Sequence, residues 1–232
     1  PVAGRAFQLQ PDEATLAAVR KQVRDRGATV LWCYAPGFIR DGKADVRNME
    51  TLTGFGLQRV SGPSTPVVNV TNLQHPLTAT GLQSLSFGAP YELDPLFSVQ
   101  DPAAEALGVY RDTGRVALAV KQVGRSRSVF CGSHILPPDL LRNLARAAGV
   151  HIYSDSGDVL HANDSFVMLH TGTPGEKTIH LPRRADVVEV YEGKVLCRGV
   201  ESFTFDEAAE TTRLLYVGQA DDFLAAMDYG SL

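Results

Sequence analysis

TVLWCYAPGFIRDG, residues 29–42, sets a cysteine between a tryptophan and a tyrosine and then runs into Ala35-Pro36-Gly37. Residues 29–35 form a continuous apolar run of strand length, the pattern of a strand covered on both faces. Residues 11–26 precede it and read as a helix. Pro11 suits a first turn, Asp12 and Glu13 favour the positive end of the helix dipole, and Gly27 terminates it. Leu16, Val19 and Val23 give that helix one apolar face. A short helix over residues 45–53, closed by Gly54, follows. Helix, covered strand and helix in succession predict an α/β first domain.

The remainder of the first 150 residues fits less regularly. Residues 57–60 and 66–70 read as strands, the second near a sheet edge. Residues 72–114 are rich in Pro, Gly and short apolar runs, which predicts loops and short strands near 83–87 and 96–99. Residues 115–123 and 128–131 are strands joined by the polar turn Gly124-Arg-Ser-Arg127. A helix spans 137–148, with Leu141, Leu144 and Ala148 on one face and Gly149 as its stop. Beyond residue 150 the pattern changes. Short strands at 159–161, 166–170, 178–181, 187–191 and 212–217 alternate with turns such as Thr173-Pro-Gly175, predicting an antiparallel β unit, a small sandwich or half-barrel. A short helix over 219–227 closes the chain. The expected domains are therefore 1–150 and 151–232.

The 232 residues are 44% hydrophobic and 21% charged with a net charge of −4, ordinary values for a globular chain. An acidic balance argues against a nucleic-acid partner, which demands a basic face. The basic clusters Arg125-Ser-Arg127 and Arg183-Arg184 read as solvated turns. No apolar stretch approaches the roughly 18 residues of a membrane span, so no membrane partner is expected. Three scattered cysteines do not make a disulfide framework or a zinc site, and their odd count tilts the expected compartment toward the reducing cytoplasm. The sequons at Asn69 and Asn163 carry little weight without a secretory signal. The chain opens at Pro1 with neither an initiator Met nor a signal-peptide pattern. A processed or truncated start is the expectation, with any chemistry upstream.

Cys33 ends an apolar strand as a nucleophile would. A nucleophile elbow, however, wants glycine two residues before and two after, and Leu31 and Ala35 stand there. Cys131-Gly132-Ser133-His134 is a more reactive-looking cluster, placed at a strand end where open α/β sheets hold their sites. Its imidazole would have to reach the thiol to lower its pKa. His75-Pro76-Leu77 has no acid two residues on to orient the ring, which favours a turn histidine bonded to backbone. His161, His170 and His180 fall on neighbouring predicted strands and would bind zinc only if they converged. Gly54-Phe-Gly56 follows a helix and precedes a strand, the wrong order for a dinucleotide loop. No cofactor is expected.

Residues 27–37, then Met49-Glu-Thr-Leu-Thr-Gly-Phe-Gly-Leu57, resemble the trimerisation domain of bacterial β-galactosidases of glycoside hydrolase family 42. His75-Pro76-Leu77-Thr78 and residues 128–149 extend that likeness. Residues 166–170 and 175–182 resemble the small β domain that follows in those enzymes. The resemblance implies a flavodoxin-like, class I glutamine-amidotransferase-like parallel sheet, followed by a small antiparallel β-sandwich. It also implies a non-catalytic accessory and oligomerisation module, self-associating as a homo-oligomer such as a trimer. Its other partner would be an upstream catalytic domain carrying the acidic residues. The competing expectations are an amidotransferase-like cysteine hydrolase using Cys131 or Cys33, and a carbohydrate-binding role through Tyr153 or Tyr191.

Overall fold

The computed structural model describes residues 12–79 and 81–227. The chain divides into two compact units, one ending at Gly149 and the other beginning at Val150.

In the first unit, α1 (Glu13–Arg26) leads into β1 (Thr29–Cys33). Asp12 caps the helix by accepting the Thr15 N–H at 2.9 Å; Pro11 lies outside the described residues. A small hairpin, β2 (Ile39–Arg40) and β3 (Lys43–Ala44), precedes α2 (Val46–Thr53). Asp45 caps α2 through the Arg47 N–H, and Gly54, at φ +81°, ends it. There follow β4 (Leu57–Val60), β5 (Val68–Val70), β6 (Ser86–Phe87), β7 (Leu96–Val99), β8 (Glu105–Tyr110), β9 (Val116–Val123), β10 (Ser126–Cys131) and α3 (Pro138–Ala147).

The main sheet has six strands in the order β1-β10-β9-β8-β5-β6. Only β1 and β10 run parallel, in the register Thr29 to Arg127 through Cys33 to Cys131. The other pairings are antiparallel. The flavodoxin-like, amidotransferase-like parallel sheet expected from the sequence is therefore overturned: the sheet is a curled, mixed half-barrel. The physical reason is the length of the connections. The two-residue turn Gly124-Arg125 can join β9 to β10 only antiparallel, because a parallel partner needs a crossover of a dozen residues or more. The five-residue link from β8 to β9 imposes the same sense. Too few helices then remain to cover both faces. The second ladder, β4 with β7, contributes to the apolar core instead, which holds Met49, Phe55, Leu96, Phe97, Tyr110 and Phe130, all essentially buried.

β1 is correspondingly not a doubly covered central strand. It lies at the sheet edge, and all five of its residues are only partly buried.

The second unit comprises β11 (Val159–Ala162), β12 (Phe166–His170), β13 (Gly175–Glu189), β14 (Lys194–Glu207), β15 (Thr212–Gly218) and α4 (Ala220–Met227). Its five strands form one antiparallel sheet, β11-β12-β15-β13-β14. This replaces the expected sandwich of two stacked sheets. β13 and β14 make one long hairpin, with register shifts between His180 and Val188. Val167, Leu169, Ile179, Val187 and Leu215 form the core on one face. On the strand positions between them, Phe166 and Tyr216 pack against Phe223 of α4, the last two rings stacked at 4.1 Å.

Candidate functional site

The parallel ends of β1 and β10 place two loops side by side. Tyr34 follows β1 at φ +62°, a left-handed conformation uncommon for a non-glycine residue. It is held there from both ends: its N–H donates to the Cys131 carbonyl (2.8 Å) and its hydroxyl to the Pro95 carbonyl (2.9 Å). After β10, Gly132 donates its N–H to the Ala117 carbonyl at 2.7 Å. Ser133 is fully buried, and its hydroxyl closes a local turn with the backbone of Ile135.

His134 projects between two tyrosines. Its ring lies 6.1 Å from that of Tyr34 and 5.9 Å from that of Tyr91, centroid to centroid. Nε2 is 2.7 Å from the Tyr91 hydroxyl, and Nδ1 is buried with no hydrogen-bond partner. A working Cys-His or Ser-His site needs a group on that second nitrogen to fix the tautomer and stabilise the imidazolium. Here it has none. The arrangement presents a half-exposed phenol, oriented by an imidazole.

The cysteines stand apart from this histidine. Cys131 is fully buried in the core and no hydrogen bond joins it to His134 among the described residues. Burial, reinforced by Cys33 alongside it, raises its thiol pKa well above the usual range. Cys33 is partly buried and its thiol is pushed up to about 11 by burial. Burial, then the Asp186 carboxylate, raises Cys197. A nucleophilic cysteine requires the opposite shift. The amidotransferase-like cysteine hydrolase expected as the runner-up thus lacks both its fold and a poised thiolate.

His75 sits in a turn, its Nδ1 accepting the Leu77 N–H (3.2 Å) while its carbonyl accepts the N–H groups of Thr78 and Ala79. His161 and His170 lie on the paired strands β11 and β12, two register positions apart, but the three histidines do not converge. His170 bonds Thr212 through Nδ1 (2.9 Å). His180 lies on β13, which is not adjacent to β12 in the sheet. No group of three or more His, Cys, Asp or Glu among the described residues is placed to hold a metal. Tyr153 packs on the second core with His151 edge-on at 4.7 Å. Tyr191 is 72% exposed in the turn between β13 and β14. No helix among the described residues is long and apolar enough to cross a membrane.

No family model matches the chain, and no curated protein is similar to it in sequence. Its fold, however, is shared with solved β-galactosidases. The enzyme from Bacillus circulans sp. alkalophilus superposes with a TM-score of 0.61 at 13% identity, over 91% of this chain and 32% of that one. Gan42B, a GH42 β-galactosidase from G. stearothermophilus, gives 0.53 at 16% identity, over 89% and 30%. The polyextremophilic β-galactosidase from the haloarchaeon Halorubrum lacusprofundi gives 0.55 at 14%, over 92% and 31%. At such identities the likeness is one of fold. The chain spans about a third of the length of each of these enzymes.

Sequence reading directed attention to His134 but paired it with Cys131 rather than with Tyr91, and it assigned Tyr34 to a strand. No local spacing connects Tyr91 with His134. Only the positive φ of Tyr34, invisible in sequence, marks the loop.

Proposed function

We propose that this chain is a non-catalytic accessory module of a larger glycoside hydrolase related to the family 42 β-galactosidases, and that its role is assembly. The observation that carries this reading is the near-complete match of the chain to about a third of each such enzyme. The candidate site agrees with it: burial pushes the Cys33 and Cys131 thiols up, and His134 Nδ1 has no hydrogen-bond partner among the described residues. Self-association, as a trimer or another homo-oligomer, and attachment to an upstream catalytic domain form part of the proposal.

Two measurements on the 232-residue chain test it. Sedimentation equilibrium is expected to show a discrete homo-oligomer at micromolar concentration. A nitrophenyl galactoside assay is expected to show no turnover. Turnover that is lost in Cys131→Ala or His134→Ala would replace the accessory reading by an enzymatic one, and a strict monomer would remove the assembly role.

A further inference from the structure

The turn Gly124-Arg125 and the α1–β1 connection meet at one end of the first unit. Gly27, at φ +61°, approaches the Arg125 backbone so closely that a Cβ there would lie 3.1 Å from the Arg125 carbonyl oxygen. This contact brings Arg26, the last residue of α1, beside Arg125. Arg127 joins them from β10, half-buried, with Nη1 donating to the Ala147 carbonyl at the end of α3 (3.2 Å). Together with Gln122 they line a concave cavity of about 230 Å³.

No carboxylate lines this cavity among the described residues, and none is ion-paired with these three guanidiniums. The adjacent acid, Asp25, is bonded to Lys21 at 2.7 Å. Two helices end here, and each C-terminus is equivalent to about half a negative charge. They offset about one of the three positive charges, so about two remain. That excess stands out in a chain of net charge −4. The Val23 carbonyl in the last turn of α1 is satisfied without the arginines, by the Ala28 N–H and the Ser126 hydroxyl. The guanidiniums are therefore not all consumed as helix caps.

We propose that this cavity binds a single oxyanionic group: a phosphate, a sulfate or a carboxylate. Guanidinium forks pair with such groups two bonds at a time. The volume lies below the roughly 300 Å³ at which pockets for drug-sized ligands begin, which suits one anionic group with its bridging waters. A nucleic-acid backbone would need an extended basic face instead. The proposal does not depend on the accessory role.

The test is an amide-shift NMR titration of the 232-residue chain with sodium phosphate, sodium sulfate and sodium glucuronate, each balanced with sodium chloride to constant ionic strength. Saturable one-site shifts centred on residues 26–29 and 122–127 are expected for at least one of the three. Saturation by phosphate and sulfate alone identifies a tetrahedral ligand, and saturation by glucuronate a carboxylate. Arg125→Gln and Arg26→Gln, at exposed positions, are expected to weaken binding about fivefold each. Shifts that rise linearly without saturating for all three anions, or an affinity unchanged in both variants, would overturn the site.

Discussion

Gly132 has no room for a side chain. A Cβ at this position would overlap the Tyr110 hydroxyl, which is fixed by donating to the Phe97 carbonyl at 2.6 Å. Tyr110 is completely buried and cannot swing away. Overpacking of this kind costs about 1–3 kcal/mol, so Gly132→Ala is expected to lower stability by that amount in urea unfolding. Combined with Tyr110→Phe, the loss should be smaller than the sum of the two single losses, because the hydroxyl is part of the clash. Additive losses would count against the overlap. The chain order around this glycine made residues 131–134 legible as a neighbourhood. The partners that define its geometry were not legible, since Tyr110, Phe97 and Tyr91 come from separate elements with no shared periodicity.

At the scale of elements, the most consequential buried contact joins β13 to the turn before β11. Lys177 Nζ lies 2.8 Å from Asp158 Oδ2, and both side chains are at most 5% exposed. The two meet as an ion contact rather than as an aligned hydrogen bond. Burial pushes the Asp158 pKa up, but Lys177, the Gly172 N–H and Ser156 together outweigh it and hold the carboxyl below its usual value. A carboxylate whose folded pKa lies below its unfolded value of about 3.9 contributes stability that is complete above that pH. The contribution fades as pH falls through the lower folded value. Removing one partner of a buried pair costs about 3–5 kcal/mol, and Lys177→Met is expected to show that deficit at pH 7. The deficit should shrink on acidification, as the stranded Asp158 takes up a proton. Urea unfolding at several pH values reads this directly, and a deficit independent of pH would place its origin elsewhere. Lys177 shares the core-facing register of Ile179 and Leu181 on β13, a position where a lysine makes no sense until Asp158 is seen beside it.

Element identity was largely readable. Asp45 and Gly54 bound α2, and the proline-led helix near residue 138 and the strands around 116–131 follow from caps and apolar runs. The decisive miss was β8. Glu105, Gly108 and a register shift near Gly108 interrupt the alternation that would have marked a strand. Without β8, the apolar run at 29–33 looked like the centre of a parallel sheet. With it, an antiparallel succession fills the sheet and pushes β1 to the edge.

For the molecule as a whole, each unit has a separate apolar core, one built around Tyr110 and Phe130 and the other around Leu169 and Val187. A piece comprising residues 150–232 is therefore expected to fold alone, giving a β-type circular dichroism spectrum and a cooperative melt. A featureless melt would show that its core is insufficient. Sequence resemblance and fold comparison both lead to the fold of solved β-galactosidases, while the amidotransferase-like architecture inferred with it does not hold. The reason is that strand sense is decided by connection lengths, and a recurring glycine-strand-glycine pattern does not record those.

The long β13–β14 hairpin and the short β1–β10 pair also differ in how they would carry load. Gly175 pairs with Glu207 at the open end of the hairpin, so tension on its flanking segments peels the ladder one rung at a time. β1 and β10 run side by side in the same direction. A pull on the start of one and the finish of the other loads every rung between them together. In a stretched assembly, the five-residue parallel pair would yield after the hairpin more than twice its length.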